Sequence, residues 1–215
     1  MENLSAGTSF PLYADDAKCA RVINDFNDCY TLQNDLTALC DWSKLWEMNF
    51  NLQKCKQLCI TRKKKPIHNI YHLGTESLLM TDKEKDLGII LHHKLTWHDH
   101  ISTNLNPANK ILWLIKRTCG NRTDTAVIRK LYIHLLRSHL EYACEIWSPH
   151  QAFLQDMIES VQRRATQLMI KGKSYTERLK SLHVLTLKST RTLLDLIFFC
   201  KCLNGLFKYQ PIHVY

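Results

Sequence analysis

Residues 10–23 read FPLYADDAKCARVI, two short apolar runs with adjacent carboxylates, Asp15 and Asp16, between them. The runs FPLYA and KCARVI predict two strands joined by a tight turn, with the acidic pair at its tip. Two carboxylates ~4–5 Å apart at an effective dielectric near 20 repel by about 3–4 kcal/mol. Either a cation offsets that repulsion or the turn stands in water. The fold is read outward from this hairpin.

The next stretch, 27–49, predicts a helix, because Leu32, Leu36, Leu39 and Trp42 recur at helical spacing behind a polar start. FNLQKCKQLCIT (50–61) reads as a strand closed by the basic run Arg62–Lys65 and Pro66. Short strands follow within 67–74, 76–80 and 85–92. From residue 98 onward the pattern is helical. One helix, or two broken at Pro107, ends at Gly120. In 123–143, Ile128, Leu131, Tyr132 and Leu135 share one face, with Lys130, His134 and Arg137 opposite. Further helices cover 153–170 and 187–207, the last stopped near Gly205 and Pro211. The expected class is α+β: an antiparallel hairpin with a helix and short strands over 1–97, followed by an all-helical region over 98–215.

The 215 residues carry a formal net charge of +9. Residues 1–97 hold 12 basic and 12 acidic side chains, and residues 98–215 hold 17 and 8, so the excess lies in the helical half. Such a surface faces a polyanion, or is a solvated basic domain. Nine scattered cysteines and no secretory leader predict reduced thiols without disulfides, in the nucleus or cytoplasm. The longest apolar stretch, LLDLIFFC, is too short to span a bilayer, so no membrane is expected. Cys55-x-x-x-Cys59 and Cys200-x-Cys202 lack the second matched pair of a zinc site.

Tyr13-Ala14-Asp15-Asp16, the segment 12–60 around it, KDLGIILHHKLTWHDHI (85–101) and residues 178–206 together resemble the reverse transcriptase of non-LTR, jockey-like retrotransposons. The likeness spans nearly the whole chain and implies the second half of a polymerase palm, a thumb and the helices after it. It implies RNA-directed DNA polymerisation, with Mg²⁺ as cofactor and an RNA template and DNA primer as partners. Asp15 matches the first Asp of the family's F/Y-A-D-D box, which helps ligate two Mg²⁺; Asp16 supports that site. Such ions sit about 3.5–4 Å apart and clamp the attacking hydroxyl and the triphosphate, and hard cations take carboxylate oxygens. Ala14 keeps the approach to the primer end small beside Tyr13. Lys54 matches a lysine near the leaving pyrophosphate, where a cation steadies developing charge, or is an exposed strand lysine. Leu87-Gly88 resembles the primer-grip strand, the glycine admitting close backbone approach; a bulge or tight strand packing is the other reading. Lys110, Lys116, Arg117, Lys130, Arg137, Arg163 and Arg164 are candidates for phosphate contacts, which give salt-sensitive affinity rather than sequence choice. Trp42 and Trp46 are expected in the core rather than as base-stacking platforms. His92, His93, His98 and His100 are dense, but LTWHDHI resembles a family segment in which His100 caps or packs.

A palm also needs a carboxylate from an earlier strand. Residues 1–12 hold one acid, Glu2, and no such strand. The expectation is a fragment in which Mg²⁺ binds weakly or not at all and polymerisation does not occur, so the chain's own enzymatic status stays open. Two other readings stand beside it: a non-catalytic basic nucleic-acid-binding module, and an unselected retroelement relic without a stable fold.

Overall fold

The computed structural model describes residues 4–119 and 123–206. Glu2, Gly120 and Pro211, which enter the sequence reading, lie outside them. The class is α+β, with short strands and helices in the first half and mainly helices in the second. The chain divides into two compact units, which among the described residues comprise 4–85 with 92–95, and 86–91 with 96–206.

The first unit opens with β1 (Thr8–Ser9), β2 (Leu12–Tyr13), β3 (Asp16–Ala17) and β4 (Ala20–Arg21). β1 pairs with β4 and β2 with β3, all antiparallel. One register runs through both ladders, from Thr8 opposite Arg21 to Tyr13 opposite Asp16. Lys18 N–H donates to the Pro11 carbonyl between them, at 3.1 Å. The four strands are thus one interrupted hairpin. α1 (Phe26–Leu45) follows, its N-terminus capped by the Asp25 side chain accepting from Asp28 N–H. It buries Cys29, Leu36, Leu39 and Cys40, and most of these pack with Tyr71 and Leu73. Gln33 on α1 holds the backbone of His72 through both its amide atoms, at 2.8 and 2.9 Å.

A 3₁₀ turn (Leu52–Lys54) precedes β5 (Lys56–Leu58), which pairs in parallel with β8 (Leu79–Thr81). β6 (His72–Leu73) and β7 (Glu76–Ser77) form a small hairpin. The strand expected over 50–61 is therefore short, and Lys54 lies on the turn before it. A lone parallel pair has few ladder bonds to extend it, and the local turn takes the first residues. β9 (Lys83–Asp86) and β10 (Ile89–His92) pair around Leu87-Gly88. These two residues have φ of 44° and 88°, the sign pattern of a two-residue hairpin turn, so they do not lie within a strand. Gly88 meets that need without strain.

In the second unit α2 (His98–Thr118) runs unbroken through Pro107. Ile101, Leu105, Ala108 and Ile115 are buried on both sides of the proline, so packing outweighs the ~3 kcal/mol that an interior proline costs. The stretch 123–143 becomes α3 (Thr125–Leu131), a π-helical segment (Tyr132–Arg137) and α4 (Ser138–Glu141). The wider π turn rotates the face. Ile128, Tyr132, Leu136 and Leu140 are buried, while Leu135 is exposed. Arg137, expected on the solvent side, turns inward for the same reason. α5 (Cys144–Trp147), α6 (Ala152–Met169), α7 (Tyr175–Leu182) and α8 (Leu187–Leu203) complete the unit. α7, which the periodicity reading passed over, starts at a capping box of Ser174 and Glu177. The core is built from α2, the 125–147 helices, α6, α7 and the start of α8.

His100 packs in the second unit. Its ring stands edge-on to Trp147 at 4.7 Å, Nδ1 accepts from Ile90 N–H at 3.3 Å, and Nε2 is buried without a partner. Burial holds its imidazole below the ordinary 6.5. The unfolded chain takes up this proton at about 6.5 and the folded unit only at lower pH. The stabilisation is therefore complete above pH ~6.5 and is lost as pH falls towards the folded value. Melting temperature against pH is expected to drop across that window, with a smaller drop in His100→Asn. An unchanged profile in the variant would refute the assignment.

Candidate nucleic-acid interface and acidic hairpin

The Asp15-Asp16 tip is positioned by its stem. Asp35 of α1, 2% exposed, accepts from Ser5 N–H (2.9 Å), Ser5 Oγ (2.8 Å) and Thr8 Oγ1 (2.6 Å). Burial alone would raise its carboxyl, but the hydrogen bonds from Thr8 and Ser5 prevail and hold it below the usual range. Across the stem, Arg21 Nε and Nη2 contact Asp28 Oδ1 at 3.2 and 3.1 Å, and Nη1 donates to the Ala6 carbonyl at 2.9 Å. Both stem strands are so tied to α1.

The tip itself is bare. Tyr13, Ala14, Asp15 and Asp16 are all exposed. Ala14 sits at φ 52°, the first position of the two-residue turn, a conformation that costs a non-glycine residue about 1–2 kcal/mol. Neither carboxylate makes a hydrogen bond or ion pair among the described residues, and Lys54, also exposed, is not joined to them.

For Mg²⁺ the donor type suits and the number does not. Among the described residues no three His, Cys, Asp or Glu side chains converge, and one carboxylate pair is too few for two ions. The residues described do not make up a two-metal centre.

The basic side chains of the helical unit fall into two groups. Lys110, Lys116 and Arg117 on α2, Lys130 on α3 and Arg163 and Arg164 on α6 are exposed. Arg163 pairs with Asp156 at 3.4 Å, and Arg164 Nη2 donates to Asn109 Oδ1 at 2.8 Å. Arg137 is 9% exposed and spent internally, Nε on Glu141 at 2.6 Å and Nη2 on Thr190 Oγ1 at 2.6 Å. Its guanidinium is a structural clamp. Leu87-Gly88 is engaged within this unit too: the Tyr142 hydroxyl donates to the Leu87 carbonyl at 3.0 Å, and a Cβ on Gly88 would lie 3.5 Å from the Tyr142 ring.

Trp46, expected in the core, is 63% exposed at the end of α1, whereas Trp42 is half-buried. The helix ends at Leu45, so the ring leaves the buried stripe. Trp113 on α2, not singled out by the sequence reading, is 58% exposed beside Arg117. Its signal was an aromatic residue inside a segment, 100–123, that holds no acid. Among the described residues no helix is long and apolar enough to cross a membrane.

A hairpin carrying Tyr-Ala-Asp-Asp at its tip, followed by a helix and then a basic helical unit, makes this an α+β chain. The chain is distantly homologous to the probable RNA-directed DNA polymerase from transposon X-element of Drosophila melanogaster, 25% identical over 158 residues. The match takes in 71% of this chain but 17% of that protein, so the chain spans about a sixth of its relative. No family model and no solved structure matches.

Proposed function

We propose that this chain is the later palm and thumb portion, 1–97 and 98–215, of a retrotransposon reverse transcriptase of the non-LTR type, and that its working partner is an RNA template paired with a DNA primer. The observation that carries this reading is the Tyr13–Asp16 box on the turn of a stem-clamped hairpin, in a chain distantly homologous to an RNA-directed DNA polymerase. Asp15 and Asp16 are then the contribution of this portion to an Mg²⁺ site that further carboxylates complete, with Lys54 near the leaving group. Lys110, Lys116, Arg117, Lys130, Arg163 and Arg164 supply the phosphate-facing charge.

The 215-residue polypeptide alone is expected to bind nucleic acid without polymerising. Its affinity for a template–primer duplex, followed by fluorescence anisotropy, should fall linearly on a log–log plot against salt. Asp15→Asn should leave that line unmoved, because the carboxylate takes no part in phosphate contact. Primer extension with dNTPs and Mg²⁺ would overturn the non-catalytic half of this reading. Salt-independent binding would overturn the rest.

A further inference from the structure

The C-terminal half of α2 presents a stripe whose apolar members, Trp113 and Leu114, the phosphate-contact reading leaves unused. Lys110, Trp113, Leu114 and Arg117 follow at i, i+3, i+4 and i+7, so they share one face. Trp113 is 58% and Leu114 51% exposed. The two make a contiguous apolar patch rimmed by Lys110 and Arg117, and an exposed apolar patch with a polar rim marks an interaction site.

The surroundings state the chemistry of that partner. The Arg117 guanidinium lies over the Trp113 ring, 5.1 Å from its centroid. On the N-terminal side a shallow hollow is lined by Asn109, Lys110, Trp113 and Leu114, with no part taken by Arg117. The indole therefore meets the Arg117 cation and also borders an open hollow that Arg117 does not line. Arg164 reaches the same rim through its 2.8 Å bond to Asn109. No Asp or Glu occurs from residue 100 to residue 123, and the one acid of this helix, Asp99, stands in its first turn, 11 residues before Lys110. An apolar plate edged by cations complements a flat ring tethered to a phosphate chain.

Resting on the nucleic-acid reading above, we infer that Trp113 is a stacking platform for an unpaired base of a single-stranded template, with Lys110 and Arg117 on the flanking phosphates. A single-stranded occupant is favoured because base faces inside a duplex are already stacked, and sequence-tolerant stacking between cations is how such strands are held.

The test compares three labelled probes by anisotropy: oligo(dT), an abasic deoxyribose-phosphate strand of equal length, and a blunt duplex. Trp113→Ala is expected to weaken oligo(dT) binding about ten- to a hundredfold while leaving the abasic strand and the duplex unchanged. Trp113→Phe should keep most of the affinity. Lys110→Ala with Arg117→Ala should flatten the salt dependence for all three probes. Matching far-ultraviolet circular dichroism confirms that the exposed substitutions leave the fold intact. Equal oligo(dT) binding by wild type and Trp113→Ala, or equal weakening on base-bearing and abasic strands, overturns the platform. So does a Trp113→Ala variant that loses only self-association in sedimentation, which assigns the stripe to a protein partner. A wild-type chain that binds none of the probes sinks the nucleic-acid reading itself, and the platform with it.

Discussion

Glu159→Ala is expected to destabilise the helical unit by about 3–5 kcal/mol, the range for stranding buried partners of a charged group. Glu159 is 7% exposed on α6. Its carboxylate accepts from the Leu187 N–H at the start of α8 (3.0 Å), from Gln162 Nε2 (3.1 Å) and from the Tyr175 hydroxyl. Gln162, fully buried, also accepts from the Tyr132 hydroxyl and donates to the Leu185 carbonyl at 3.0 Å. One carboxylate thus organises side chains from α6, α7 and the π segment around the N-terminus of α8, where the helix dipole favours negative charge. Burial and the Glu159 hydrogen bond together push the Tyr175 phenol well above its usual range. Alanine would leave the Leu187 N–H and the Tyr175 hydroxyl buried without their acceptor, and each such group costs about 1–3 kcal/mol. At roughly 2–4 °C per kcal/mol for a chain of this size, melting should fall by about 6–20 °C. Glu159→Gln, which keeps an acceptor, should lose less. A melting temperature for Glu159→Ala within ~2 °C of wild type would refute this account of the core.

Asp35→Ala is expected to cost the first unit about 2–4 kcal/mol, since three hydrogen bonds converge on one buried carboxylate. The loss should be felt along the hairpin. Hydrogen exchange of the β1–β4 amides should accelerate, although Asp35 is far in sequence from the Ala14-Asp15 turn. Because the folded carboxyl sits below the ordinary 3.8, its contribution is fully present above pH ~4. It is lost as pH falls through the folded value. Acid unfolding of wild type should therefore show a step below pH ~4 that Asp35→Ala lacks. Asp15→Asn and Asp16→Asn change exposed groups without partners and should shift stability by no more than about 0.5 kcal/mol. If Asp35→Ala proved as mild as these, the clamp on the hairpin would be fictitious.

The two acids differ in legibility. Asp15 and Asp16 stand out in the sequence because a doublet between two apolar runs is conspicuous at short range. Asp35 does not, because its partners Ser5 and Thr8 lie about 30 residues away and only the packing of the hairpin on α1 brings them to it. Arg137 does not stand where periodicity puts it, and Trp113 does not stand where its residue type suggests. A strict period of about 3.6 residues puts Arg137 in solvent, but the π segment carries it inward to Thr190. Trp113 belongs by type to the interior and stands outside. Leu87-Gly88 reads as strand because its neighbours are apolar; positive φ at both residues makes it the turn between β9 and β10.

By itself the chain of residues determined the α+β class, the acidic hairpin, the long helix after it and the concentration of positive charge beyond residue 98. These depend on contacts or patterns within a few turns of chain, which local periodicity and composition record. Only the tertiary structure decided which cations are spent on internal partners, which carboxylates carry stability and which tryptophans meet solvent. Those outcomes rest on contacts between residues tens of positions apart, whose energies depend on burial and geometry that no local pattern encodes.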